Sequence, residues 1–438
     1  MFHENLASTA RSTPHAQSSR GYLMVALSTV GTSLEYYDFV IFVFFINTLR
    51  TIFFPSGMPE WLAQVEAFGI FATGYVARPL GGIILAHYAD MLGRKRMFVL
   101  TVLLMSLSSF GMALLPTYAA IGAGAPLLLL VLRVMQGAAI GAEMPSAWTF
   151  VAEHVDPKRI GLACGLIAGG VAFGTLLGSF TAAAVNAFLA PDAIASFGWR
   201  LPFFFGGFAG LFSAYMRRYL SETPVFEGLQ KEQALAHEFP LRIVLRAYRT
   251  AVAVAIALSW FLVATYVVFA LMTPTLLQTV YGFPPQIALR ASTYSTTGVL
   301  CGAIAGGALI DAIGIRRFLM LGIIFLLFGQ YMLYTQIFHS PDRLLPLCAL
   351  AGVLTGVVVA VPYAMVHSFP SAVRATGISF SFNSAWAVFG GLTPIVITAG
   401  LYFDPLAHLH YLIVASAVGL LAGVFWKASP EPTQDGLI

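Results

Sequence analysis

Long apolar runs, separated by short clusters of charge, Pro and Gly, dominate the chain. They fall near residues 22–49, 64–89, 97–115, 126–152, 161–188 and 199–220, and again near 251–272, 287–310, 318–338, 344–369, 375–402 and 409–427. A membrane-crossing helix needs about 20 largely apolar residues, so the pattern predicts twelve transmembrane helices in two sets of six. The expected fold is an all-α membrane protein. The segments lie as a tail over 1–21, a six-helix bundle over 22–220, a linker over 221–250, a second bundle over 251–427 and a tail over 428–438.

Composition agrees with immersion in lipid. The chain of 438 residues is 58% hydrophobic and 10% charged, against roughly 25% charged in a soluble domain. Charges this sparse cannot cover a water-exposed surface of that size, which excludes an ordinary soluble enzyme and leaves the lipid bilayer as the surroundings. The net charge of +4 is too small and scattered for nucleic acid. Cys164, Cys301 and Cys348 lie in apolar runs without metal-ligand spacing, so neither a disulfide nor a metal site is expected. No apolar segment of a cleavable signal precedes the first long run.

The basic residues orient the helices. With the N-terminus inside, seventeen of the 23 Lys and Arg fall in cytoplasmic segments; Arg50, Arg200, Arg290 and Arg343 fall outside, and Arg78 and Arg133 within spans. That bias places both termini in the cytoplasm. An internal repeat divides the chain: Asp90-Met91-Leu92-Gly93-Arg94-Lys95-Arg96 follows the second span, and Asp311-Ala312-Ile313-Gly314-Ile315-Arg316-Arg317 follows the eighth. Two matching halves describe a transporter with its substrate site near the bilayer midplane between them.

The loop from Asp90 to Arg96 resembles the signature between helices 2 and 3 of the major facilitator superfamily, although Ala86 and Met91 depart from it. Further segments are similar to the metabolite:proton symporter branch. They are Glu35-Tyr36-Tyr37-Asp38-Phe39, Arg78-Pro79-Leu80-Gly81, Arg133 through Gln136 to Glu143, Trp199-Arg200-Leu201-Pro202-Phe203, Glu222-Thr223-Pro224 and Phe389-Gly390-Gly391-Leu392-Thr393-Pro394. Ala125-Pro126-Leu127-Leu128, and Pro191-Asp192-Ala193-Ile194 through Trp199-Arg200, resemble the citrate and tricarballylate transporters of that branch. The resemblance implies a major facilitator fold in a bacterial inner (plasma) membrane. It also implies uptake of a small organic acid, most naturally a di- or tricarboxylate such as citrate, with protons; related members of the branch carry shikimate, oxoglutarate or zwitterionic osmolytes instead. Two closed halves in one chain make a functional monomer the default. No cofactor is expected, because the proton gradient drives transport.

The intramembrane charges carry the chemistry. At 1.5 Å rise per residue, Glu35 and Arg78 lie near mid-membrane, where ionisable groups cost at least about 2.5–3.5 kcal/mol and line pathways or pair with one another. One reading is a fixed Glu35–Arg78 or Asp38–Arg78 pair that joins two helices. The other is that Arg78 grips a substrate carboxylate through its planar fork while Asp38, or next Glu35, exchanges a proton. Protonation would then release Arg78 from its internal partner, coupling the two ligands.

Gln136 and Glu143 are seven apart and share a face of the fourth span, with Arg133 about 60° away. Glu143 is a further proton site or a partner of Arg94 or Lys95. The substrate-binding set is Arg78, Tyr37, Glu35, Arg133, Gln136 and Asn383; the proton-coupling set is Asp38, Glu35 and Glu143. Asp90 with Arg94, and Asp311 with Arg316, are expected to form a cytoplasmic gate. The second half is nearly free of intramembrane charge and is left with neutral candidates, Tyr266, Tyr363, Asn383 and Trp386.

Two other classes remain to be weighed. Proton-driven efflux of amphipathic compounds fits the aromatic content, but Thr175 stands where the antiporter pattern has Pro after Gly174. An intramembrane enzyme lacks paired His ligands, a nucleophile elbow and a phosphate loop.

Overall fold

The computed structural model describes residues 14–219, 223, 240–336 and 341–428, and every regular element among them is helical. The linker and both tails fall largely outside the described residues. The first six membrane helices are α1 (Pro14–Phe44), α2 (Glu60–Leu92), α3 (Arg94–Leu114), α4 (Gly124–Ala152), α5 (Ile160–Phe188) and α6 (Arg200–Arg217). The second six are α7 (Arg249–Tyr266), α8 (Pro285–Ile313), α9 (Ile315–Gln336), α10 (Leu344–Thr355), α11 (Arg374–Ala385) and α12 (Ala407–Phe425). Short irregular turns extend three of these. α7 continues to Thr279, α10 to Ser368 and α11 to Leu401.

Ten of the helices are long and apolar enough to cross a membrane on their own. α1 joins them through a bent pair, turning by 62° into Ile46–Phe53. That bend differs from the uninterrupted first run expected over 22–49. Hydropathy continues through Phe45 with no Pro or Gly to mark the break. The remaining helix, α6, has 18 residues and packs against α1 and α3.

Within the first half α1 packs on α5, α2 on α4 and α3 on α6; in the second half α8 packs on α10 and α7 on α12. Large apolar side chains that project outward, such as Phe180, Phe208, Ile395 and Leu421, meet lipid instead of water.

Repeat symmetry governs the helix ends. Gly93 ends α2 at φ 108° and Gly314 ends α8 at φ 82°, in the region glycine enters without a side-chain penalty. Both occupy the same place in the two repeated loops, three residues after Asp90 and Asp311.

The halves meet along a seam formed by α5 against α8 and α2 against α11. On the cytoplasmic side, α5 and α8 touch backbone to backbone: a methyl built on Gly165 would lie 2.5 Å from the Ala303 carbonyl, and one on Gly307 2.4 Å from the Gly161 carbonyl.

Candidate functional site

The cytoplasmic end of the seam is closed by two matching contacts. Asp311 of the second half accepts hydrogen bonds from the amides of Gly161 (2.7 Å) and Leu162 (2.8 Å) in the first turn of α5. Asp90 of the first half accepts from the amide (3.0 Å) and hydroxyl (2.7 Å) of Thr376 in the first turn of α11. Each carboxylate thus satisfies otherwise orphaned N–H groups at the positive end of a helix in the opposite half. Glu153 and Arg374 add an ion pair at 3.0 Å.

The gate therefore differs from the expected pairing. Arg316 is exposed and donates to the Trp426 carbonyl at 3.3 Å, because it lies on the outer side of α9 while Asp311 turns toward α5. The side chain of Arg94 lies outside the described residues.

Arg78 lies on the seam near its middle and is 3% exposed. Its Nε donates to Asn383 Oδ1 at 3.3 Å, and its guanidinium carbon stands 5.0 Å from the Trp386 ring, 5.4 Å from Phe382 and 5.7 Å from Tyr75. Among the described residues no carboxylate pairs with it, so neither the Glu35–Arg78 nor the Asp38–Arg78 pair forms. Those acids face the interior of the first half, whereas Arg78 on α2 faces α11. Asn383 is fully committed, since its Nδ2 donates to the carbonyls of Gly141 (2.7 Å) and Ser379 (2.9 Å). Tyr36 and Tyr266 join hydroxyls at 2.8 Å across the seam, and Tyr75 stacks on Trp386 at 5.6 Å.

Asp38 sits deeper in the first half. It accepts from Gln136 Nε2 at 2.9 Å and from the Ser109 hydroxyl. Gln136 Oε1 in turn accepts from Arg133 Nη1 at 2.5 Å, and the same nitrogen reaches the Phe39 carbonyl at 3.0 Å. The Arg133 guanidinium is boxed by the rings of Phe39, Phe42 and Phe71 at 4.1–4.9 Å. Its Nε and Nη2 are buried without a hydrogen-bond partner. Gly206 of α6 makes room for the carboxylate, since a methyl there would lie 2.2 Å from Asp38 Oδ1. Tyr75 links the two arginine sites, lying 5.2 Å from Phe39 edge to face and also stacked on Trp386.

Glu35 and Glu143 form a third cluster around Arg217. Arg217 Nη2 contacts Glu35 Oε1 at 2.6 Å and Glu143 Oε1 at 2.7 Å, while Nη1 donates to the Phe98 carbonyl at 2.6 Å. Thr101 donates to Glu143 at 2.8 Å and Ser213 to Glu35 at 3.1 Å. Glu143 is thus paired within the membrane with Arg217. Arg217, one of the seventeen basic residues assigned to cytoplasmic segments, is fully buried. The available signal was the Arg217–Arg218 doublet at a helix end, of which one member can turn inward. Tyr37 is buried away from the seam and donates to the Pro202 carbonyl at 3.1 Å.

Comparison with known proteins gives the following. The profile of the Major Facilitator Superfamily matches residues 30–394. A putative proline/betaine transporter of Staphylococcus aureus (strain COL) is 32% identical over 413 residues, covering 92% of this chain and 88% of that protein. The citrate-proton symporter of Klebsiella pneumoniae is 30% identical over 444 residues, covering 94% and 96%. Among solved structures, the proton:xylose symporter bound to 6-bromo-6-deoxy-D-glucose superposes with a TM-score of 0.77 at 17% identity, covering 93% of this chain and 95% of that one. The E. coli fucose:proton symporter gives 0.68 at 14%, covering 92% and 98%.

Proposed function

The chain belongs to the Major Facilitator Superfamily, a multi-pass membrane transporter and not an enzyme, and from that premise we propose that it imports a small carboxylate-bearing metabolite together with protons across a bacterial inner membrane. A di- or tricarboxylate such as citrate is the first choice. The observation that carries this reading is Arg78, a buried cation on the seam with no carboxylate partner among the described residues. A buried charge without a counter-ion is costly, and a substrate carboxylate supplies the missing partner through charge-assisted hydrogen bonds. The unpartnered Trp386 Nε1, and Arg133 Nε and Nη2 behind Tyr75, add donors suited to a second carboxylate.

Asp38 is the proton carrier in this proposal. A proton on Asp38 converts one acceptor oxygen to a donor and breaks the Gln136 clamp. Gln136 then releases Arg133, whose guanidinium becomes available to the anion. Neither ligand binds well without the other, which is symport. With both aboard, the Asp90 and Asp311 contacts release and the cytoplasmic side opens. No resident cofactor is required; the carrier is expected to act as a monomer.

A second reading has one specific support. The rings of Tyr75, Phe382 and Trp386, 5.0–5.7 Å from the Arg78 guanidinium carbon, make an aromatic frame of the kind that receives quaternary ammonium groups, and the Staphylococcus relative is a putative proline/betaine transporter. Uptake of labelled citrate, proline and betaine into proteoliposomes under an inward proton gradient separates the two readings. Arg78→Ala is expected to lower kcat/KM for the accepted substrate by on the order of 10–100-fold, the value of a hydrogen bond to a charged group. Unchanged uptake in that variant, or proton-driven export of amphipathic cations with no acid uptake, would overturn the proposal.

A further inference from the structure

The Glu35–Arg217–Glu143 triple takes no part in the coupling just described, yet its charges do not balance. Two carboxylates share a single guanidinium, Glu143 on both terminal nitrogens and Glu35 on Nη2 alone, and Glu35 Oε2 is buried with no hydrogen-bond partner. With both acids ionised, the site would hold one uncompensated negative charge in a low-dielectric interior, where like charges raise the cost of ionising the second. The groups facing Glu35 are few. α6 presents Arg217 and Ser213, and α4 presents Glu143. α3 adds the Thr101 hydroxyl on Glu143 and the Phe98 carbonyl on Arg217; α5 offers glycines, Gly170 and Gly174, against α1. Asp38, three residues on, is occupied by Ser109 and Gln136.

A second observation comes from α1 itself. The hydroxyls of Ser28 and Thr32 are fully buried and have no hydrogen-bond partner. Ser28, Thr32 and Glu35 are spaced by four and three, so they lie on one face within about 60° of arc, roughly 6 and 4.5 Å apart along the axis. α1 and α6 run antiparallel, with Gly31 against Ser213 and Asp38 against Gly206. That register sets Ser28 level with the Arg217 backbone at the cytoplasmic end of α6. The row therefore begins at the unpartnered carboxylate oxygen and runs toward the cytoplasmic end of the first half, ending at Ser28, itself fully buried.

We propose that the triple stores one proton, shared by Glu35 and Glu143, and exchanges it with the cytoplasm along Thr32 and Ser28, without opening the seam. On release, the O–H bond of the Glu35 carboxyl breaks and its proton passes to an intervening water, which hands a proton to the Thr32 hydroxyl as that hydroxyl gives up its own. Waters between Thr32, Ser28 and the cytoplasm repeat the exchange, since none of the three side-chain oxygens bonds directly to another. Glu35 is left as carboxylate and Arg217 keeps its charge. Oxygens strung along a helix suit a proton relay; a metal ion needs them gathered about one point, and no group of His, Cys, Asp and Glu among the described residues is so gathered. The inference needs neither the substrate nor the role given to Asp38.

Infrared difference spectroscopy on the full chain in lipid nanodiscs tests it without any substrate. In Asp38→Asn, a carboxylic-acid C=O stretch is expected to persist at neutral pH. Adding either Glu35→Gln or Glu143→Gln should abolish the band, because one carboxylate then matches one guanidinium. Thr32→Val, which keeps the side-chain shape, should slow the shift of that band in D2O several-fold. Glu35→Asp, which retains a carboxyl, controls for folding by keeping the band. Absence of the band in Asp38→Asn, its survival in both Gln variants, or a sodium-induced change in its place would overturn the stored proton. An unchanged exchange rate in Thr32→Val would overturn the path.

Discussion

The two halves share a pair of matching contacts and divide the buried charge. Asp90 and Asp311 play the same part from opposite sides, each seated on the first turn of a helix in the other half. Behind the gate the symmetry ends. The first half buries Glu35, Asp38, Arg78, Arg133, Glu143 and Arg217; the second buries neutral polar groups such as Asn383, Gln330 and His408. Duplication supplied the frame twice, whereas ion chemistry is concentrated in one copy. The other copy supplies shape, aromatic surface and half of the latch.

The strongest test of this division is Arg217→Met. It leaves the Glu35 and Glu143 carboxyl groups buried without a cation and is expected to destabilise the protein by about 3–5 kcal/mol, the cost of breaking a buried ion pair, read as a lower melting temperature in detergent. Adding Glu35→Gln and Glu143→Gln should restore most of the loss, and failure to do so would mean that Arg217 acts by packing alone. Next comes Asp38→Asn, which should end accumulation above the external concentration while exchange of labelled for unlabelled substrate continues. Accumulation that survived would place coupling elsewhere in the molecule.

The gate should respond alike from both sides. Asp90→Asn and Asp311→Asn are each expected to raise labelling of cysteines introduced at the cytoplasmic end of the seam by several-fold, about 1 kcal/mol of lost helix-terminus interaction. Very unequal effects would show that one latch holds the gate. The smallest effect is expected from Gln330→Met in α9, whose amide is buried with neither atom hydrogen-bonded. Removing such a group in favour of an apolar one of similar size is near neutral. A loss above about 1 kcal/mol would show that the second half depends on buried polarity after all.

Much of this was legible in the chain. Twelve runs of hydropathy mark the helices, and the Asp-x-x-Gly repeat marks Asp90 and Asp311, which sit on helix first turns of the opposite half. Other features need the phase of a helix, which hydropathy does not fix when most faces are apolar. Tyr36 and Tyr37 are neighbours, yet one reaches Tyr266 across the seam and the other the Pro202 carbonyl inside the bundle. Arg217 escaped because its backbone stands at a helix end while its long side chain turns inward; only the position is visible in the sequence. The partners of Asp311 were hidden because they are main-chain amides, which carry no residue identity.

The glycine contact between α5 and α8 bears on speed. Interlocked side chains must be withdrawn and re-seated when two helices slide, and each exchange of rotamers adds to the barrier. Gly165 and Gly307 present smooth backbone to the opposite helix, so α5 can roll on α8 as a journal turns in its bearing. At these two positions the contact is main chain against main chain, and a single methyl placed on either glycine would act as grit.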